Sequence, residues 1–132
     1  MATMDLDGLL ARLIDRGGSD LHLKAASPAM VRIDGDLEAL DERLLTEEDM
    51  ETVLLLVTDR TPAKREQFLE LGDLDTSYVA ARIGRFRVNG FRQRGAISFA
   101  FRFVPKEIPS FEKLGLPEGV GRLAREQRGL VL

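Results

Sequence analysis

Two arginines, Arg87 and Arg102, are the residues whose type and spacing point most directly to chemistry. They lie in 84–89 and 97–103, two runs that alternate apolar with polar or small residues on either side of Arg94-Gly95. This pattern predicts two strands folded back on each other, with Arg94 and Gly95 as the loop. In that register paired residues share one number sum, so Phe86 faces Phe103, Val88 faces Phe101 and Gly90 faces Phe99 on one apolar face. On the other face Arg87 stands opposite Arg102, with Arg85, Asn89, Gln93, Ser98 and Ala100 nearby. Like charges directly opposite each other destabilise a sheet. A chain that sets two guanidiniums side by side therefore suits an anion, and phosphate suits best because its oxygens match the planar guanidinium fork. The competing reading is a plain solvated strand face, on which arginine is common.

The elements that must position this pair come both before and after it. In 5–16 the residues Leu6, Leu9, Leu10, Leu13 and Ile14 fall on one helical face, and Gly17-Gly18 follows where a helix would end. The next stretch, 19–24, changes to a period of two, with Leu21 and Leu23 inward and Asp20, His22 and Lys24 on the wetter face. Residues 30–33 and 37–40 flank Asp34-Gly35-Asp36 as a second hairpin. Matching apolar faces there puts Ile33 opposite Leu37 and Val31 opposite Ala39, which predicts a three-residue loop. Thr46-Glu47-Glu48-Asp49 reads as a capping sequence ahead of Met50, Val53, Leu54 and Val57, and its acids are what a helix dipole favours rather than an acid/base site. Thr61-Pro62 opens a third helix through Phe68, Leu69 and Leu71, with Gly72 as its stop. A strand over 75–83 then leads into the arginine hairpin, which Pro105 closes.

Beyond Pro105, residues 106–117 carry the Pro and Gly punctuation of a linker, with one helical turn at most over 110–114. A brief helix is expected over 118–127, and the apolar run at 128–132 reads as the beginning of a strand. The expected organisation is a domain over 1–105, a linker over 106–117 and the start of a further domain over 118–132.

Composition narrows the function classes. At 132 residues and 44% hydrophobic content the chain suffices for one domain with a core. It has no cysteine and a single histidine, His22, so disulfides are excluded and a thiolate or histidine metal site is not expected. No apolar run approaches membrane-spanning length, and direct membrane insertion is not expected. A net charge of −3 argues against nucleic acid as a partner. Its distribution says more: no acid occurs over 76–106, which holds six arginines and Lys106, while acids crowd 34–51 and 66–75. Such a local field attracts a polyanion or an acidic partner surface.

Five segments in order, Ser19-Asp20-Leu21-His22-Leu23, Arg32-Ile33-Asp34-Gly35-Asp36-Leu37, Gly84-Arg85-Phe86-Arg87-Val88-Asn89-Gly90-Phe91, Phe101-Arg102 and Ile108-Pro109-Ser110-Phe111-Glu112-Lys113-Leu114-Gly115-Leu116-Pro117, resemble the type II/type IV secretion ATPases. Within them the match is nearest the pilus-retraction motors of twitching motility. The resemblance implies an α+β, PAS-like N-terminal domain, a mainly antiparallel sheet with helices packed against it, followed by the first residues of a motor domain. It implies ATP as cofactor, with magnesium held by the motor domain. The implied partners are the chain's own motor domain, neighbouring subunits of a homohexamer and the pilus machinery at the inner membrane. The implied location is cytoplasmic, peripheral to that machinery. It also carries catalytic and nucleotide-binding roles to Arg87 and Arg102, which reach toward the phosphates. Asp20 and His22 are expected to contact a neighbouring subunit's motor domain. No Gly-x-x-x-x-Gly-Lys-Ser/Thr loop occurs in this sequence, so ATP turnover is expected only of the full-length protein. The alternative is a stand-alone PAS-like sensor or interaction module without ATP.

Overall fold

The leucine spacing of the first segment forms helix α1 (Leu6–Asp15), whose Leu6, Leu10 and Leu13 are buried. Asp5 caps it by accepting a hydrogen bond from the Gly8 amide at 3.0 Å. In the computed structural model, which describes residues 4–105 and 114–129, α1 is followed by strands β1 (Asp20–Lys24), β2 (Met30–Ile33) and β3 (Asp36–Ala39). Helices α2 (Glu47–Val57) and α3 (Pro62–Leu71) come next, then strands β4 (Asp73–Ala80), β5 (Gly84–Gln93) and β6 (Ala96–Val104) and a short helix α4 (Glu118–Ala124). The expected α+β class with an antiparallel sheet is what forms. One six-stranded sheet runs in the order β3-β2-β1-β6-β5-β4, and every neighbouring pair is antiparallel.

One face of the sheet is apolar and buried. Leu21, Leu23, Val31, Leu74, Phe86, Val88, Phe99 and Phe101 join Leu10 and Leu13 of α1, Met50 and Val53 of α2 and Phe68 of α3 in a single core. Each of these side chains, fully withdrawn from water, contributes about 1.5–3 kcal/mol. The aromatic members meet ring to ring, Phe68 with Phe99 at 6.5 Å between centroids and Phe99 with Phe101 at 6.3 Å. Because successive side chains alternate across a strand, the residues between them, including Asp20, Arg32, Arg87 and Arg102, all project from the opposite face.

The β5–β6 register agrees with the sequence reading at every expected pair: Phe86 with Phe103, Val88 with Phe101, Gly90 with Phe99 and Arg87 with Arg102. Its loop residues Arg94 and Gly95 have φ of 54° and 83°, the double positive φ of a type I′ turn whose twist suits a hairpin.

The first hairpin differs from expectation. Val31 pairs with Glu38 and Ile33 with Asp36, so the loop has two residues, Asp34 and Gly35, and not three. Both have positive φ, 50° and 88°, again a type I′ turn. Matched apolar faces do not set this register, because β3 is exposed along its whole length. An edge strand without a buried face exerts no pull on register, and the turn decides it.

Three element ends also shift. β4 starts at Asp73 and stops at Ala80 rather than spanning 75–83, since Arg82 takes φ of 66° in a turn closed by Ile83 N donating to the Ala80 carbonyl. Thr61 occupies the cap position of α3, but its hydroxyl makes no capping bond and is buried without a protein partner. In that helix Phe68 is buried, whereas Leu69 and Leu71 are exposed. Helix α4 ends at Ala124. The expected helical turn at 110–114 and the expected strand at 128–132 lie largely outside the described residues, as does most of the expected linker. Among the described residues no helix is long and apolar enough to cross a membrane.

Candidate anion site on the open sheet face

Arg87 and Arg102 come together because β5 and β6 are joined by a tight turn and their register sets the two residues directly opposite each other. Opposed residues on a sheet have Cβ atoms about 4.5–5.5 Å apart, within the span two guanidiniums need to grip one phosphate group. The next row outward is Asn89 opposite Ala100. Together with Asp20 these residues line an open cleft of about 230 Å³. The small Ala100 leaves room between the arginines and Asn89, which adds an amide able to donate or accept.

Each arginine has a carboxylate, and the two pairs differ in kind. Arg87 donates from Nε and Nη2 to Asp75 on β4 at 3.5 and 3.3 Å, and both side chains are well exposed to solvent. An exposed pair of this length stabilises by about 0–1 kcal/mol, so Asp75 holds Arg87 only loosely. Arg102 donates from Nε to Asp20 at 3.0 Å, and here the acid is 11% exposed while the base is 74% exposed. Ser19 donates its hydroxyl to the other carboxylate oxygen of Asp20 at 2.7 Å. Burial by itself raises the Asp20 carboxyl, but the hydrogen bonds from Ser19 and Arg102 and the guanidinium charge more than offset it and hold the group below the usual range. Asp20 is thus an anion at neutral pH.

Sequence spacing alone does not connect Asp20 to the arginines. Alternation placed it outward, correctly, but also beside solvent, and it is 8% exposed. It lies on β1 between Arg102 of β6 and Arg32 of β2, its partners in register on either side. The one available signal was an acid at an outward position of a strand whose neighbours were unknown. His22, expected on the wet face, is likewise half-buried, and its Nε2 is enclosed without a protein partner. Burial lowers its pKa first, Arg32 and Arg102 lower it further, and Asp20 opposes them.

The remaining arginines of the hairpin leave the cleft. Arg92 has the opposite parity and lies over the Phe68 ring at 5.6 Å, a cation–π contact on the helix side. Arg94 is in the turn. Arg85 shares the outward face but pairs in register with Val104, one row further from Asn89. A second cleft, of about 400 Å³ and lined by Lys64, Gln67, Asp73, Leu74, Asp75 and Asn89, adjoins the first through Asn89.

Searched against models of protein families, the chain matches none. Individual proteins do match. The type IV pilus retraction ATPase PilT of Pseudomonas aeruginosa is 35% identical over 130 residues, 98% of this chain and 37% of that protein. The type IV pilus ATPase PilU of the same organism is 34% identical over 130 residues, again 98% of this chain and 33% of that protein. Among solved structures, that of the pilus retraction motor PilT with bound ADP superposes with a TM-score of 0.76 at 36% identity, covering 92% of this chain and 35% of that one. The chain therefore spans about a third of the length of the relatives it matches.

Proposed function

From its kinship along nearly its whole length with the PilT and PilU pilus ATPases, we propose that this chain serves as the N-terminal, nucleotide-sensing domain of a ring ATPase that powers type IV pilus retraction. In this reading residues 1–105 form the sensing domain, 106–117 the linker and 118–132 the start of the motor domain. Arg87 and Arg102 then supply the charge that meets the phosphates of ATP. The observation that carries it is the direct opposition of these two arginines in the β5–β6 register, where both line one open cleft. Asp20 and Asp75 each engage only part of a guanidinium, and an anion that bridges the two arginines is held by further charge-assisted hydrogen bonds.

The residues present fit a phosphate better than a metal. The two carboxylates beside the cleft, Asp20 and Asp75, are each engaged by a guanidinium, and magnesium in this reading is held by the motor domain. In phosphoryl transfer negative charge spreads over the equatorial oxygens of the transferred group, and donors aimed at them lower the barrier. Arg87 gives up Asp75 and donates to phosphate, while Arg102 donates from a side chain anchored at its root. Contact forms when this domain closes on the motor domain, so nucleotide state and domain position are linked. The ring assembly is a homohexamer, on the cytoplasmic side of the inner membrane next to the pilus machinery.

The test is steady-state ATP hydrolysis by the full-length protein. Arg87→Ala and Arg102→Ala each lower turnover about tenfold to a thousandfold while circular dichroism and melting temperature stay near wild type. Unchanged hydrolysis in both variants overturns the assignment.

A further inference from the structure

We infer that Asp20 is a positioning residue for Arg102, holding the guanidinium by Nε so that its terminal nitrogens are presented to the anion beside Arg87. The inference rests on the nucleotide reading above and adds to it a residue from a strand distant in sequence, β1.

The geometry supports it in three ways. A guanidinium has five donors in a rigid plane, and the bond to Asp20 uses Nε alone at 3.0 Å. Nε is the donor nearest the backbone, so gripping it fixes the plane, makes no use of the two Nη groups and leaves the one on the far side of the plane from Nε–H facing away from the carboxylate. Second, Asp20 is itself held: Ser19 binds its other oxygen at 2.7 Å, and its side chain is 11% exposed against 74% for Arg102. The buried member is rigid and the exposed member is aimed. Third, the arrangement of Arg87 is the opposite, an exposed pair in which Nη2 itself is engaged. Of the two arginines one is pre-set and one is released on binding. Pre-setting removes the rotamer entropy that an exposed arginine otherwise loses when it binds.

A double-mutant cycle on ATP hydrolysis by the full-length protein tests this. Asp20→Ala is expected to reproduce most of the Arg102→Ala loss, and the double variant is expected to be no slower than Arg102→Ala alone. Asp20→Asn keeps an acceptor oxygen for Nε and is expected to retain more turnover than Asp20→Ala. Arg102→Lys keeps the charge but has no Nε–H branch, and is expected not to recover activity. If Asp20 served folding only, its loss would multiply with that of Arg102→Ala and Arg102→Lys would be active, and either result overturns the inference. Should Asp20→Ala prove unfolded by its melting curve, Ser19→Ala takes its place: a partial loss of turnover that vanishes in the Arg102→Ala background supports the inference, and wild-type turnover overturns it. Wild-type turnover in Arg102→Ala itself would instead remove the nucleotide reading, and this inference with it, before Asp20 is considered.

Discussion

Gly90 of β5 and Phe99 of β6 are partners in register, and the phenylalanine ring occupies the space that a side chain at 90 would need. A Cβ there would lie 3.0 Å from Phe99 Cε1 and 3.2 Å from Leu74 Cβ. Phe99 is enclosed between Phe68 and Phe101, so it has little room to yield. Gly90→Ala is expected to lower stability by about 1–3 kcal/mol through overpacking. Chemical denaturation of the two proteins checks it, and equal midpoints would mean that the ring swings aside.

The depressed carboxyl of Asp20 makes part of the stability depend on pH. The unfolded chain, with an ordinary carboxyl, takes up its proton first as pH falls, so stability rises with pH over that range. The contribution is fully present above the unfolded pKa of about 3.9 and is lost as pH falls through the lower folded value. Wild type is expected to be more stable than Asp20→Asn at neutral pH, with the difference shrinking as the solution is acidified below about pH 4. Melting temperatures across that range decide the matter, and a constant difference would contradict the assignment.

His22 has the same sign at a higher pH. Its folded pKa is lowered, first by burial and then by Arg32 and Arg102, so the fold favours neutral imidazole and loses stability as pH falls below the unfolded value of about 6.5. The Asp20 carboxylate opposes these effects. Asp20→Ala is therefore expected to move the His22 titration midpoint lower still, as read from imidazole proton shifts by NMR. A rise would show that burial is relieved when the aspartate is removed.

Helix α2 depends on a reciprocal cap. The Asp49 amide donates to Thr46 Oγ1 at 3.0 Å, the Thr46 amide donates to Asp49 Oδ2 at 2.8 Å, and Arg43 grips the same carboxylate at 3.0 and 3.1 Å. Asp49→Ala removes the return half and leaves a part-buried amide unpaired. A loss of about 1–2 kcal/mol is expected, measured by thermal unfolding, while the arginine face on the opposite side of the sheet keeps its ion pairs.

Much of this molecule is written in local pattern. Leucine spacing specifies α1, a capping sequence specifies α2, and the alternation about Arg94-Gly95 is enough to place Arg87 opposite Arg102. The reason is that helix faces and tight hairpins are governed by residues a few positions apart, and the β5–β6 pair has a buried face that forbids slippage. Where that constraint is absent, in exposed β3, apolar pattern does not specify the loop, which is one residue shorter than the pattern predicts.

What only the tertiary structure decided is which strands lie beside one another. Nothing in the spacing of Ser19-Asp20-Leu21 announces that β1 docks against β6, 82 residues away along the chain at the Asp20–Arg102 contact. That docking buries Asp20 and ties it to Arg102. Sequence therefore determined the two arginines and their opposition, because both lie in one hairpin. The sheet order determined that one of them is anchored and the other loosely held, because anchoring needs a buried carboxylate, and burial is a property of neighbours that periodicity does not encode.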